Sequence, residues 1–290
     1  MKVFVTGATG WVGSAIVREL LGAGHDVQGL ARSQDKAAAL AATGARVLHA
    51  SLDDTDALHR AASEADAVIH TAFNHDFARF AENAEQDRRT IEILGSALEG
   101  SQRPLVVTSG LARLASGRLA TEADVPDPSF ARKSEMAARA VADRGVRAIT
   151  VRLAPSVHGP GDYGFVPMLI RMAREKGVSA YVDEGSNGWA GVHRLDAARL
   201  YRAVIEKTSS QSVFHAVSDE AVPFRQIAEV IGRRLGVPVE SRGPEHFGWF
   251  AHFAALDMSA TSAHTRAQLG WEPTEAGLLS DIDQPVYYVS

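Results

Sequence analysis

Three glycines, three residues apart, stand at the start of the chain. Gly7, Gly10 and Gly13 follow the apolar run Lys2-Val3-Phe4-Val5-Thr6 and precede a helical stretch carrying Ile16, Val17, Leu20 and Leu21. Strand, glycine turn and helix start, in that order, are what a dinucleotide phosphate site requires. Gly7 permits the tight turn. Gly10 lets backbone approach a pyrophosphate with no Cβ in the way, and Gly13 lets the helix pack closely on the strand. Free N–H groups and the positive end of the helix dipole then face the phosphates. Thr9, Trp11 and Val12 complete the turn and are expected to bind the cofactor with the glycines.

An NAD site usually carries an acid at the end of the second strand, on the ribose 2′-hydroxyl. Here that strand ends Gly29-Leu30-Ala31, and Arg32 and Ser33 follow. A guanidinium and a hydroxyl pair with a 2′-phosphate through charge-assisted bonds, so NADP is expected in preference to NAD. Asp35 lies slightly further on. Asp53, after Ser51-Leu52, either accepts a bond from the adenine amino group or caps the helix that follows.

The elements that must position these groups alternate. Strands are predicted at Asp26–Ala31, Ala45–Ala50, Asp66–Thr71, Arg103–Thr108 and Val146–Leu153. Helices are predicted at Gln34–Ala42, Thr55–Ser63, Ala84–Leu98 and Pro128–Asp143, the last with Asp127 as N-cap and Pro128 as its first residue. This rhythm means an α/β fold with a doubly wound parallel sheet over residues 1–155. After Pro155 the rhythm changes, and residues 156–290 are expected to form a small substrate lobe. It contains a Gly- and Pro-rich segment at Ser156–Tyr163, a helix at Pro167–Lys176, a polar loop at Tyr181–Gly188 and an apolar helical stripe of Phe224, Ile227, Ile231 and Leu235. A helix near 195–207 and a strand near 212–217 are expected to return to the main sheet. A lobe facing the carboxyl ends of the strands makes a cleft over the cofactor.

Composition narrows the class. The 290 residues are 46% hydrophobic and 22% charged, with net charge −5 and no run of Lys or Arg, which argues for a globular protein and against a nucleic-acid partner. The absence of cysteine excludes disulfides, thiolate catalysis and cysteine metal sites. His59, His215, His246, His252 and His264 lack metal-ligand spacing, so no metal is expected. The first residues read as a strand rather than a leader, and no apolar run reaches the roughly 20 residues of a membrane span. The expected location is therefore cytoplasmic, without membrane association.

Over most of its length the chain resembles the extended short-chain dehydrogenase/reductases, an NAD(P)-dependent epimerase/dehydratase-like family with a Rossmann core. Thr6 to Gly13 matches their Thr-Gly-x-x-Gly-x-x-Gly, and Ser51-Leu52-Asp53 their adenine-side segment. Val68-Ile69-His70-Thr71-Ala72-Phe73 is similar to the strand that passes under the cofactor, which implies contacts from Thr71, Ala72 and Phe73. Arg152-Leu153-Ala154-Pro155-Ser156-Val157-His158-Gly159-Pro160 resembles the stretch that brings backbone to the nicotinamide, implying roles for Pro155 and Val157. Val192-His193-Arg194-Leu195-Asp196 resembles the family's Val-His-x-x-Asp. The resemblance also implies that helices Ala84–Leu98 and Pro128–Asp143 pair in a homodimer, although the charges Asp87, Arg88 and Arg89 leave a monomer open.

The acid/base differs. The family uses the tyrosine of a Tyr-x-x-x-Lys helix, whose phenol is made more acidic by the lysine. Here the stretch reads Pro128-Ser129-Phe130-Ala131-Arg132-Lys133-Ser134-Glu135. If Lys133 is the family lysine, the tyrosine position is Ser129. If Ser134-Glu135 stands for the usual Ser-Lys pair, the positions are Ala131 and Glu135. Neither register contains tyrosine. The assisting hydroxyl of the fifth strand falls on Ser109 or on Gly110.

A carbonyl reduction still needs a proton donor within hydrogen-bond reach of the developing alkoxide. His158, where the family usually has a tyrosine, and Tyr163 in the same loop rank first. His75, Asp76 and His193 follow. Lys133 shares a helical face with Phe130, Ala137 and Ala140; it either points at a ligand, holding the nicotinamide ribose, or snorkels to water. Ser109 is a candidate to orient a substrate oxygen. Phe247, Trp249, Phe250 and Phe253 are mostly lobe core, with one or two lining a pocket for a hydrophobic or aromatic carbonyl compound. The expected function is an NADP-dependent oxidoreductase acting on a small carbonyl or alcohol. The alternatives are a non-catalytic NADP(H) redox sensor and a sugar-type epimerase or dehydratase.

Overall fold

The computed structural model describes residues 1–115, 117–129, 132–207 and 212–289, and of Phe77 the backbone alone. In chain order, β1 (Lys2–Thr6), α1 (Trp11–Gly22), β2 (Asp26–Ala31), α2 (Gln34–Ala41), β3 (Arg46–His49) and α3 (Thr55–Ser63) make the first half of the sheet. β4 (Ala67–His70), α4 (Phe80–Ser96), β5 (Pro104–Gly110), α5 (Ser134–Ala142) and β6 (Arg147–Leu153) make the second. Then come β7 (Ser156–His158), α6 (Phe165–Lys176), β8 (Ser179–Tyr181), β9 (Gly188–His193), α7 (Arg194–Glu206), β10 (Val213–Ala216), β11 (Asp219–Pro223), α8 (Phe224–Leu235) and β12 (Val239–Ser241).

The main sheet has seven strands in the order β10-β6-β5-β4-β1-β2-β3, all paired in parallel. It is a Rossmann-type doubly wound sheet, and its order reverses between β1 and β4. Strand alternation explains the two covered faces. Val3, Val5, Ile69 and Val106 pack with α1 and α7 on one side, while Phe4, Val68, Leu105 and Val107 pack with α3, α4 and α5 on the other. A third core joins α6, α8 and the C-terminal segment around Trp189, Phe224 and Phe250. Two small sheets, β11-β9-β7 and β12-β8, complete the molecule.

Several boundaries differ from the sequence expectation, each for a local reason. The helix expected at Pro128–Asp143 begins at Ser134. Asp127 does not cap it; its Oδ1 accepts from the Ser129 N–H at 2.8 Å and the Ser129 hydroxyl at 2.7 Å, closing a turn instead. Phe130 and Ala131, on which one register and the proposed helical face depend, lie outside the described residues. Lys133 takes the N-cap position rather than a place in an apolar stripe. The expected polar loop Tyr181–Gly188 is bounded by β8 and β9, and β9 is buried along its whole length. Gly-Trp-Ala-Gly-Val-His lacks the period-two alternation of a half-exposed strand, so burial on both faces hides the signal.

Candidate active site

Gly10 occupies the N-cap of α1, no side chain caps that helix end, and its first turn carries no acid. The N–H groups of the first turn and the positive dipole end are thus left for an external anion. Gly7 has φ +69°, and a Cβ there would lie 2.6 Å from Thr71 Oγ1 and 2.7 Å from the Ala72 nitrogen. A Cβ on Gly13 would lie 2.0 Å from the Gly7 carbonyl oxygen. These two glycines are demanded by packing. A Cβ on Gly10 would approach only the Gly7 oxygen, at 3.2 Å. Gly10 also lines the cavity, so its missing side chain leaves room for a ligand. The cradle fits a dinucleotide pyrophosphate.

The cavity above this turn measures 1160 Å³. It exceeds the roughly 300–1,000 Å³ of a typical single-ligand pocket, which leaves space for a dinucleotide and a second molecule. At its β2 end the wall carries Arg32, Ser33 and Lys36. Arg32 is exposed and makes no ion pair among the described residues. Ser33 caps α2, its hydroxyl accepting from the Lys36 N–H at 3.4 Å. Lys36, unremarked in the sequence, lies three residues along α2 from Ser33 and adds a second cation to the corner. Leu52 and Asp53 follow on the same wall. Asp53 is not the helix cap, because Asp54 holds that position in α3. Its Oδ1 accepts from Gln86 Nε2 at 2.7 Å.

Thr71, Ala72 and Phe73 line the cavity beyond β4, and Pro155 and Val157 line it beyond β6. Thr9, Trp11 and Val12 belong to the same wall as the glycines. Trp11 donates its indole N–H to the Val157 carbonyl at 2.6 Å. The cofactor-binding residues expected from sequence therefore converge on one cavity, with Lys133 as the exception.

Of the four catalytic candidates, Ser109 and Tyr163 line the cavity and His158 and Lys133 do not. Tyr163 stands 65% exposed on the rim, edge-on to Trp11 with centroids 5.8 Å apart. His158 is fully buried. Its Nδ1 donates to Asp281 Oδ2 at 2.8 Å, and the Tyr287 hydroxyl donates to the same oxygen at 2.5 Å. Burial opposes ionisation of Asp281, yet the His158 and Tyr287 hydrogen bonds hold it below the usual carboxylate range. This reads as a brace for the segment after β6, and His158, expected as a proton donor, does not line the cavity. Lys133, expected at the nicotinamide ribose, does not line it either. The residue before it, Arg132, takes its place on the cavity wall. Glu135, the alternative lysine position, is buried and ion-paired to Arg152 at 2.7 Å. His193 caps α7, its Nδ1 accepting from the Leu195 N–H at 3.3 Å.

Sequence spacing missed two further groups. Asp162 lines the cavity beside Tyr163, and burial pushes its carboxyl up to about 6, although Oδ1 accepts from the Gly164 N–H at 2.7 Å. Arg132 meets Thr108 and Phe73 at the ends of β5 and β4. His75, also on the wall, is held below its ordinary value by burial and by the nearby Arg132 charge. The remaining wall is largely apolar, with Phe80, Phe165, Met168, Trp249, Phe253 and Met258. Among the described residues no group of three or more His, Asp and Glu could hold a metal ion, and no helix is long and apolar enough to cross a membrane.

Comparison with known proteins agrees with this geometry. A family model described as NAD(P)H-binding matches residues 7–182. An uncharacterized protein of Schizosaccharomyces pombe is 46% identical over 99% of this chain and 100% of its own length. A 3-diazoavenalumate denitrifying reductase of a Streptomyces species is 29% identical over 94% of this chain and 96% of its own. Among solved structures, a dTDP-glucose 4,6-dehydratase from Streptomyces venezuelae superposes with TM-score 0.79 at 20% identity, covering 99% of this chain and 97% of the other. UDP-glucose 4-epimerase from Thermotoga maritima gives 0.77 at 18%, covering 99% and 98%. At such identities the structural likeness speaks for the fold.

Proposed function

This chain belongs to a family of NAD(P)H-binding proteins, and on that premise we propose that it is an NADP-dependent oxidoreductase reducing a carbonyl on a small, largely apolar substrate. The observation that carries this reading is the single cavity running from the glycine turn, past the Arg32–Lys36 corner, to a second end walled by Ser109, Arg132, Asp162 and aromatic side chains.

The α1 N-terminus would hold the pyrophosphate, Arg32, Ser33 and Lys36 the 2′-phosphate, and Asp53 the adenine amino group. Thr71 to Phe73, Pro155 and Val157 would flank the nicotinamide half. When bound, the cofactor supplies a hydride to the carbonyl carbon. The protein must supply the proton, so that ketone, NADPH and one proton give alcohol and NADP+. Asp162 is our candidate donor: it lines the cavity, makes no ion pair among the described residues, and burial has moved its pKa toward neutrality. The Ser109 hydroxyl would donate to the carbonyl oxygen and orient it, and Tyr163 would close the rim. The apolar far wall speaks against a nucleotide-sugar substrate. The volume beyond a dinucleotide's need speaks against a pure sensor.

The test is a panel of aromatic and aliphatic aldehydes and ketones with NADPH, followed by loss of reduced-nicotinamide absorbance. Turnover that falls sharply in Asp162→Asn supports the assignment. Tight NADPH binding without turnover on the whole panel favours the sensor.

A further inference from the structure

Two arginines in this molecule are treated in opposite ways. Arg152 is fully buried and fully partnered. Its Nε and Nη2 reach the two Glu135 oxygens at 2.8 and 2.7 Å, and its other donors meet the carbonyls of Thr121 and Asp124. That is how this fold satisfies a structural guanidinium.

Arg132 is held but not neutralised. Its Nε donates to Ser134 Oγ at 3.0 Å and its Nη2 to the Thr108 carbonyl at 3.1 Å, while the guanidinium carbon sits 4.4 Å from the Phe73 ring centroid. Nη1 has no acceptor among the described residues, and none of their carboxylates pairs with Arg132 directly. The carboxylate that acts on it is Asp87, one hydroxyl away. Ser134 Oγ donates to Asp87 Oδ2 at 2.6 Å, and His70 Nε2 donates to Asp87 Oδ1 at 3.0 Å. Burial works against the Arg132 charge, and Asp87 offsets this in part. The result is a guanidinium fixed on two sides, partly open to the cavity, and carrying only partly compensated positive charge between the ends of β4 and β5. A planar fork held this way matches a carboxylate.

We propose that Arg132 binds a carboxylate of the substrate, so that the compounds reduced here are apolar acids whose body rests on Phe73, Phe80 and Phe253. This rests on the oxidoreductase reading and adds the substrate class to it. Arg132 is then a substrate-binding residue, and the chain His70, Asp87 and Ser134 positions it.

Benzoate and benzamide, alike in shape and unlike in charge, are the probes. Each is titrated calorimetrically into wild type, Arg132→Gln and Arg132→Lys, all preloaded with NADP+ after NADP+ binding itself has been measured. Wild type should bind benzoate about ten-fold or more tighter than benzamide. Arg132→Gln should abolish that preference while keeping benzamide and NADP+ binding, which also shows that it is folded. Arg132→Lys should retain part of the preference, and carries the test if the glutamine variant does not fold. Benzoate binding no tighter than benzamide, including no binding of either, overturns the proposal. So does a variant that loses NADP+ affinity but keeps the benzoate preference. Absence of NADP+ binding to wild type would instead defeat the parent reading.

Discussion

The Trp11 indole N–H lies 2.6 Å from the Val157 carbonyl oxygen, 146 residues away in the chain. This bond fastens the first residue of α1 to the segment after β6, tying the phosphate turn to another part of the cavity wall. Arg194 adds to the clamp, its guanidinium carbon 4.1 Å from the Trp11 ring centroid.

The glycines of the turn should separate by experiment. Gly10→Ala places a methyl in the cavity with only the Gly7 oxygen near, so stability should change by less than about 1 kcal/mol while NADPH affinity falls ten-fold or more. Gly13→Ala drives a methyl into the Gly7 carbonyl and should cost about 1–3 kcal/mol by urea unfolding. Equal destabilisation by both would show that Gly10 serves packing rather than a ligand.

Arg32 is exposed at the corner where α2 begins. Removing a charge-assisted bond of about 1.5–3 kcal/mol predicts that Arg32→Ala weakens NADPH about ten- to hundred-fold and leaves NADH unchanged. Competitive fluorescence titration of both cofactors measures the ratio. A parallel loss for NADH would place Arg32 elsewhere on the dinucleotide.

Asp162 links the site to stability through pH. Its folded pKa of about 6 lies above the ordinary 3.8, so the fold binds this proton more tightly than the unfolded chain does. Its contribution is complete below about pH 3.8 and is lost as pH rises through 6. Asp162→Asn lacks this loss. At pH 8 it should be more stable than wild type by up to about 3 kcal/mol, with the gap closing below pH 4. Its kcat/KM should drop about 100-fold, and the wild-type fall in activity above pH 6 should vanish. Stability profiles that remain parallel across pH would remove Asp162 from the role.

Glu135 and Arg152 form a buried ion pair. Glu135→Ala leaves a buried guanidinium without its carboxylate and should cost about 3–5 kcal/mol in chemical denaturation. A cost below 1 kcal/mol would mean that water reaches Arg152.

The sequence was most legible where structure is local. The glycine turn, β2 and α3 follow from residue types within one strand or one helical turn, and the residues named for the cofactor, Lys133 apart, line one cavity. Lys36 was within reach of the same reasoning, one helical turn beyond Arg32. What escaped depends on distance. His158 pairs with Asp281, 123 positions later, and no local pattern announces that partner. Choosing Arg132 over Lys133 depends on α5 starting at Ser134, which the turn closed by Asp127 delays. The pKa of Asp162 comes from burial in the fold, so spacing alone could not raise it above other acids.

The central claim is that a phosphorylated nicotinamide dinucleotide lies across the α1 N-terminus. Calorimetric titration of the purified protein with NADPH and with NADH tests it most directly. The account predicts one NADPH per chain, bound at least ten-fold tighter than NADH. No heat with either cofactor, or equal affinity for both, would contradict it.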